Sequence, residues 1–127
     1  MARSKGLERQ LLGSFGEDVA REYLKKKGYK ILGMNFSCRL GEIDIIARKG
    51  RYIVFVEVKL RKDASHGQAM EFVTAAKQHR LILATEFYLQ RNPTRLQPRF
   101  DVIEVYAPEG YHTVNPEIHH IEDAVGL

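Results

Sequence analysis

The most constraining feature of the sequence is an apolar run near its middle. Residues 52–60 are rich in valine, isoleucine and phenylalanine, which favour β-strands. Their side chains are apolar at successive positions up to Phe55, whereas a strand with one wet face alternates apolar and polar residues. The pattern therefore predicts a central strand that is covered on both faces by other parts of the protein.

The segments around this strand predict an α/β domain. Residues 42–47 form the preceding strand, and Gly50 supplies the positive φ of a hairpin turn between the two strands. Apolar residues at helical spacing predict one helix that begins at Ser14 and a second that Thr74 caps. Weaker signals predict further strands at residues 29–36, at residues 99–106 and around Ile118 and Ile121. This order predicts a central mixed β-sheet flanked by helices.

The length of 127 residues suits one domain. Residues 1–13 are polar and basic and contain two glycines, so we expect a flexible N-terminal segment, frayed or partly helical, followed by a single domain over residues 14–127. No apolar run approaches the roughly 18 residues of a membrane span, and the first residues lack the apolar core of a signal peptide. We therefore expect a cytoplasmic protein with no membrane partner.

Cysteine and histidine usage argues against a zinc site. Cys38 is the single cysteine, so no internal disulfide can form. His119 and His120 adjoin one another without further cysteines or histidines at zinc spacing, and we expect them to be exposed at a strand end. The net charge of +4 favours polyanionic partners without identifying one.

Acidic and basic side chains lie on the two middle strands. Glu57 and Lys59 are two residues apart and therefore share one face of their strand. If the two strands pair as a hairpin, Asp44 lies beside Glu57 on that face. Adjacent carboxylates repel one another, and a carboxylate in an apolar strand is costly to bury, unless a cation is bound. Mg²⁺ prefers such oxygen ligands, and Mn²⁺ can substitute for it.

This arrangement predicts a metal-dependent site for phosphodiester cleavage. Asp44, Glu57 and the backbone carbonyl of Val58 would hold the ion, which activates a water molecule and neutralises charge on the phosphate. Lys59 would orient that water or stabilise the charge that builds up in the transition state. The alternative is a simple ion pair between Glu57 and Lys59, with Asp44 as a bystander.

Several short motifs occur in one order along nearly the whole chain, from about residue 13 to residue 125. They are FGE at 15–17, KGY at 27–29, GEIDIIA at 41–47, FVEVK at 55–59, VT at 73–74, KQ at 77–78, RFDV at 99–102 and HIEDA at 120–124. Together they resemble the YraN-like family of small bacterial proteins. That family is assigned to the restriction-endonuclease-like superfamily, the PD-(D/E)xK nucleases, with similarity to archaeal Holliday junction resolvases.

The resemblance implies a restriction-endonuclease-like fold in which Asp44 is the first acid, Glu57 the second acid and Lys59 the lysine. It also implies that Glu17, on the first helix, is a further acid near the metal. A competing role for Glu17 is local, because Ser14 and Glu17 fit a capping box.

Two nearby positions carry weaker expectations. Glu42 should share a face with Asp44 but lies further back, so it is a salt-bridge partner or a ligand. Leu60 stands where the family often has a small polar residue, which could alter contacts beside the phosphate.

Basic residues near the two central strands could bind phosphate groups. Arg61 and Lys62 follow the acid–lysine motif directly, and Arg39 lies in the turn before the preceding strand. Such contacts set affinity and register without reading base sequence. Superfamily nucleases often place a polar residue on the second helix, which here offers Lys77 and Gln78. Further cations on adjoining turns, which can hold phosphates if the site lies at their end of the sheet, are Arg48, Lys49 and Arg51. Ordinary surface charge is the alternative for all of them.

These observations lead us to expect a Mg²⁺-dependent nuclease that acts on DNA, with branched or junction DNA as one candidate substrate. A resolvase would act as a homodimer, because two matched cuts need two sites related by a two-fold axis. The alternatives are a non-catalytic nucleic-acid-binding module of the same fold and a protein-interaction subunit whose acidic site is structural. A pure binding module has no need for adjacent carboxylates that repel phosphate.

Overall fold

The computed structural model describes residues 5–62 and 75–124, which form a five-stranded sheet with a helix on each face. The elements are α1 (Lys5–Lys26), β1 (Lys30–Cys38), β2 (Gly41–Lys49), β3 (Tyr52–Arg61), α2 (Ala75–Arg91), β4 (Gln97–Tyr106) and β5 (Glu117–Ile121), with a short 3₁₀ helix (Gly110–His112) before β5. The strands lie side by side in the order in which they occur in the chain. β3 and β4 are parallel, and the other neighbours are antiparallel.

The prediction for β3 is confirmed, because both of its faces are buried. Val54 and Val56 pack in one core with residues of α1, whereas Ile53 and Phe55 pack in a second core with residues of α2. Burial of this kind is the main force that holds the two helices on the sheet, at about 25 cal/mol for each Å² of apolar surface removed from water. The single α/β domain with a mixed sheet is thus confirmed, and it is consistent with a restriction-endonuclease-like fold.

The predicted start of the first helix is wrong. α1 begins at Lys5 rather than at Ser14, so residues 5–13 belong to the helix. The physical reason is a tertiary contact: Leu12 is half-buried and lies against Gly110 of the 3₁₀ helix. The predicted cap at Thr74 lies outside the described residues. No helix within the described part of the chain is long and apolar enough to span a membrane.

The regular alternation of side chains breaks where β1 and β2 face each other near their middle. Met34 packs in the α1 core, although Phe36, two residues later, packs in the α2 core. Across the strand pair, Ile45 and Ile43 change sides in the same way. Residues two apart on a strand ordinarily share a face. The residue between Met34 and Phe36 is Asn35, whose φ of 53° is left-handed, and this local turn of the backbone exchanges the two faces.

Candidate active site

Asp44 lies where β2 and β3 part. The paired register between these strands runs from Lys49 and Tyr52 to Ile45 and Val56. Two residues beyond Val56, the Val58 backbone N–H donates a hydrogen bond of 2.8 Å to Asp44 Oδ2. The carboxylate of Asp44 thus accepts a hydrogen bond that a backbone carbonyl of β2 would accept if the pairing of the two strands continued. Both backbone polar groups of a strand residue point to the same side of the strand. The carbonyl of Val58 therefore also faces β2.

The environment of Asp44 disfavours negative charge. Burial raises the pKa of Asp44 from 3.8 to about 7, and the negative charges of Glu57, Glu17 and Glu42 act in the same direction. The hydrogen bond from Val58 offsets only part of this effect. A nearby cation would strongly stabilise the ionised form of a carboxyl group whose pKa is raised in this way among other carboxylates.

Glu17 reaches the same cluster from α1. The helix lies against β3 at Gly16, which packs on Val58 and Leu60, so the next side chain is placed near Asp44. Burial and the charge of Asp18 raise the pKa of Glu17, although its hydrogen bond with Asp44 acts in the opposite direction. The capping-box alternative is excluded for Glu17 because Ser14 lies inside α1 rather than at its start.

Asn35 is a component of the site that the sequence reasoning missed. It stands opposite Asp44, between the cross-strand pairs Met34–Ile45 and Phe36–Ile43. With its amide nitrogen turned toward α1, Asn35 donates to both carboxylate oxygens of Glu17, at 2.5 and 3.1 Å. An asparagine within an otherwise apolar strand segment was the available signal, since asparagine tolerates the left-handed backbone that the change of faces requires.

Glu57 contacts two lysines from different elements. Lys59 Nζ lies 3.4 Å from Glu57 Oε1, and Lys77, on α2, forms an ion pair with the same oxygen. Burial and the nearby Lys77 lower the pKa of Lys59. Burial also works against charge on Lys77, but its contact with Glu57 raises its pKa overall. Lys77, which was predicted as a phosphate contact, is therefore a partner of the Glu57 carboxylate.

A cleft of about 410 Å³ opens beside Glu57. Its walls are the turn between β1 and β2, including Arg39, and the first turns of α2, including Lys77 and Arg80. The walls are held close together at Gly41, where an added Cβ would lie 2.7 Å from the backbone oxygen of Arg80. Of the predicted phosphate contacts, Arg39 thus lines the cleft, and Arg80 is a further lining cation that the sequence analysis did not name.

Other predicted contacts do not reach this cleft. Arg61 is mostly buried and lies 3.3 Å from the fully buried carboxylate of Glu104, because an interior charge needs an oppositely charged partner. Lys62 is exposed and lines a different groove, near Tyr106. Gln78 is half-buried on α2 but does not line the cleft. Leu60 packs against α1, so it does not contact the cleft either.

A second polar cluster, which we call the Asp101 cluster, lies on the α1 side of the sheet at β4 and β5. Arg99 donates to both oxygens of Asp101, at 2.9 and 2.8 Å, and also to the hydroxyl of Tyr29 at 2.8 Å. His120 Nε2 lies 2.7 Å from Asp101 Oδ2, and its other ring nitrogen lies 3.1 Å from the hydroxyl of Tyr23. The expectation of an exposed histidine pair is therefore wrong for His120, whose side chain is 7% exposed.

The Asp101 cluster was also missed, although three of the motifs quoted from the sequence contain its residues. The backbone N–H of Asp123 donates to Asp101 Oδ1 at 3.0 Å, which fixes the residues after β5. Burial works to raise the pKa of Asp101, but the hydrogen bonds from His120, Arg99 and Asp123 hold it below its ordinary value. This cluster is fully paired and stabilises the fold; it does not resemble the crowded acids around Asp44.

The donor set around Asp44 fits a hard divalent ion. Two carboxylates, Asp44 and Glu57, and the carbonyl of Val58 offer oxygen ligands, which match a Mg²⁺ ion that keeps several water molecules. Within residues 5–62 and 75–124, no group of three or more histidine, cysteine, aspartate or glutamate side chains is gathered closely enough to hold a metal by itself. Water and substrate phosphate would therefore have to complete the coordination.

The raised pKa of Asp44 predicts an unusual pH dependence of stability without divalent ions. The folded protein holds the Asp44 proton up to about pH 7, whereas the unfolded chain releases it near 3.8. The contribution of Asp44 to the free energy of unfolding is complete below its pKa in the unfolded chain. It is lost as the pH rises through its pKa in the folded protein, and the loss is at most about 4 kcal/mol. We expect Asp44→Asn to flatten this fall between about pH 4 and pH 7, as measured by urea unfolding in EDTA. Equal pH profiles for parent and variant would contradict the assignment.

Comparison with known proteins adds the family relationships. Residues 16–105 match the model of a family described as "Uncharacterised protein family UPF0102". A UPF0102 protein of Syntrophotalea carbinolica is 50% identical over 99 residues, which cover 77% of this chain and 80% of the relative. One of Caldicellulosiruptor saccharolyticus is 48% identical over 101 residues (79% and 86%), and one of Geotalea daltonii is 45% identical over 121 residues (94% and 93%). The matched region contains Glu17, Asp44, Glu57, Lys59 and Lys77.

Proposed function

The chain belongs to the UPF0102 family, the YraN-like group that its motifs resemble, and from this premise we propose that it is a metal-dependent nuclease that hydrolyses phosphodiester bonds in DNA in the cytoplasm. The observation that supports the proposal most is the position of Asp44, Glu57 and Lys59 where two strands of a mixed sheet part. Resemblance to the PD-(D/E)xK nucleases supports the same reading, since that superfamily carries its acids and lysine in this order.

In the proposed site, Asp44, Glu57 and the carbonyl of Val58 would hold Mg²⁺, for which Mn²⁺ can substitute. When bound, the ion would supply Lewis-acid chemistry to the phosphoryl group. The protein contributes fixed positions for these ligands: Asp44 is held by the Val58 N–H, and Glu57 lies on the same strand as that peptide. Preorganised ligands of this kind lose little entropy when they act.

The cationic and acidic neighbours have separate roles. Lys59 lies beside Glu57 and is half-buried, so its charge can stabilise negative charge that develops on the phosphate in the transition state. Glu17 has a raised pKa and contacts Asp44 and Asn35, so it can hold a proton at its carboxylate near the reacting groups. Asn35 then acts as a positioning residue that fixes Glu17.

The cleft beside Glu57 supports a polyanionic substrate. Arg39, Lys77 and Arg80 line it together, and each can pair with a phosphate oxygen. The similarity of the superfamily to archaeal resolvases makes branched DNA our first candidate substrate, and a resolvase would work as a homodimer with two matched sites.

The test is a cleavage assay with purified protein, Mg²⁺ or Mn²⁺, and labelled duplex, single strand, flap, fork, four-way junction and structured RNA. We expect metal-dependent cleavage of at least one DNA substrate that is lost in Glu57→Ala and Lys59→Ala and retained in Glu86→Ala, an exposed control on α2. The preferred substrate then separates a resolvase from a general nuclease. Cleavage that survives in both site variants would contradict the proposal.

A second candidate function, a non-catalytic nucleic-acid-binding module, is favoured by one observation. Glu57 is already paired with both Lys59 and Lys77, so the acid can be neutralised within the protein itself. In this case the intact protein would bind nucleic acid with steep salt dependence and would cut none of the substrates with either metal.

A further inference from the structure

The hairpin turn between β2 and β3 lies at the opposite end of the sheet from Glu57. Along β3, Tyr52 precedes Glu57 by five positions, or about 17 Å at 3.3 Å for each residue. The cations Arg48, Lys49 and Arg51 therefore lie far from the cleft, and the condition for their serving that site, namely that it lie at their end of the sheet, is not met.

These hairpin cations form one surface with the end of α1 and the start of β1. Lys49 Nζ donates to the carbonyl of Lys27, and Lys30 stands directly opposite Arg48 in the pairing of β1 with β2. We define the hairpin basic patch by its exposed members: Lys27, Lys30, Arg48, Lys49 and Arg51. The patch holds five cations in a chain whose net charge is +4, so charge is unevenly distributed over the molecule.

Fold stability explains only part of this concentration of charge. Lys49 donates to the carbonyl of Lys27 and lies over the ring of Tyr29. Lys27 and Arg51 likewise lie over the rings of Tyr23 and Tyr52. Lys30 and Arg48 make no such contact with the described part of the chain, and like charges that face each other across a strand pair are destabilising. None of the ion pairs between described residues involves a member of the patch.

We propose that the hairpin basic patch is a second nucleic-acid contact, which holds the phosphate backbone of a DNA duplex while the cleft beside Glu57 engages the strand to be cut. The identity of the polyanion rests on the proposed function. Each DNA strand carries one phosphate for every 3.4 Å of helix rise, so the 17 Å along β3 corresponds to about five base pairs. A duplex arm of this length or longer can contact both ends of the sheet, whereas a mononucleotide cannot.

The test measures duplex binding without metal, so that it does not depend on cleavage. Anisotropy of a labelled DNA duplex is followed over a series of NaCl concentrations for the parent and for the double variant Lys30→Gln/Arg48→Gln. We expect the double variant to bind roughly tenfold more weakly at low salt, with a salt slope smaller by about 2, because each phosphate contact contributes about 0.9 to that slope. The matched control, Lys30→Arg/Arg48→Lys, keeps both charges and should bind like the parent.

Thermal unfolding of the same variants distinguishes binding from a structural role. Since Lys30 and Arg48 repel each other, Lys30→Gln/Arg48→Gln should unfold at the same temperature as the parent or at a higher one. Unchanged duplex affinity and salt slope in this variant would overturn the inference. Binding to vesicles of phosphatidylserine and phosphatidylcholine, without binding to DNA, would overturn it in favour of an anionic membrane surface.

The outcomes for this inference and for the proposed function can be separated. Duplex binding through the patch by a protein that cuts no substrate supports the inference and contradicts the nuclease. Metal-dependent cleavage with patch variants that bind and cut like the parent supports the nuclease and contradicts the inference.

Discussion

Glu57→Gln is expected to lower the rate of metal-dependent cleavage by a factor of about a hundred to a thousand, the range seen when one preorganised electrostatic group is removed from an active site. Glutamine keeps the size of the side chain but removes the negative charge that would hold the ion. Glu57 is also the shared partner of Lys59 and Lys77, so both cations lose their counter-charge in the variant. We therefore expect lost metal affinity together with lost turnover.

The measurement is single-turnover cleavage over a series of Mg²⁺ concentrations, with binding of the ion followed by calorimetry. Glu86→Gln is the matched control, because it removes one exposed carboxylate from α2 without touching the site. Thermal unfolding of Glu57→Gln should occur at a lower temperature than that of the parent, since Lys59 and Lys77 lose their counter-charge, so cleavage is measured well below the unfolding temperature of the variant. Full activity of Glu57→Gln at saturating Mg²⁺ would show that this acid does not hold the ion.

The second large effect is on stability. Asp101→Ala is expected to lower the free energy of unfolding by about 3–5 kcal/mol, as is typical when one partner of a buried ion pair is removed. Asp101 is 1% exposed and accepts hydrogen bonds from Arg99, His120 and the backbone of Asp123. Without the carboxylate, the charge of Arg99 remains in the interior with Tyr29 as its hydrogen-bond acceptor. The residues after β5 lose an anchor as well.

Urea unfolding at pH 7 measures this effect, and Glu122→Ala is the control. Glu122 lies 3.8 Å from the same arginine but is 60% exposed, so its removal should cost less than about 1 kcal/mol. If Asp101→Ala and Glu122→Ala are equally stable, the Asp101 cluster does not stabilise the fold in the way the contacts indicate.

Asp101 and Asp44 should respond to pH in opposite ways. The folded pKa of Asp101 is lowered, so its contribution is present above the unfolded pKa of 3.8 and is lost as the pH falls below it. The folded pKa of Asp44 is raised to about 7, so its contribution is lost as the pH rises toward neutrality. Without divalent ions, the two aspartates together should make the free energy of unfolding largest at a pH below 7.

The sequence predicts the sheet better than the helix ends. The apolar run in β3 and the turn at Gly50, with its φ of 57°, locate the central hairpin because they are local signals. The start of α1 at Lys5 depends on a contact between Leu12 and Gly110, which are distant in the chain. Local patterns at Ser14 could not reveal that contact.

The candidate site was predicted in its main residues, although by reasoning that the structure modifies. Strand alternation placed Asp44 beside Glu57, yet alternation is interrupted in β2, and Asp44 is held instead by the backbone of Val58. The roles of Asn35 and Arg80 depend on how β1 and α2 pack around the site. A pattern within one strand contains no information about these neighbours.

The Asp101 cluster also has a consequence for how the chain folds during synthesis. Arg99 pairs with Asp101 from two residues away, but other groups of the cluster are distant in the chain: Tyr23 and His120 are 97 positions apart, and Tyr29 and Arg99 are 70 apart. Large loops must therefore close before the burial of Asp101 is fully compensated. On the ribosome, β3 and β4 emerge before β5. A nascent chain that ends before His120 keeps the pair with Arg99 but lacks the hydrogen bonds from His120 and Asp123, which disfavours the folded sheet. The groups around Asp44 and Glu57 should therefore come together only after β5 has emerged.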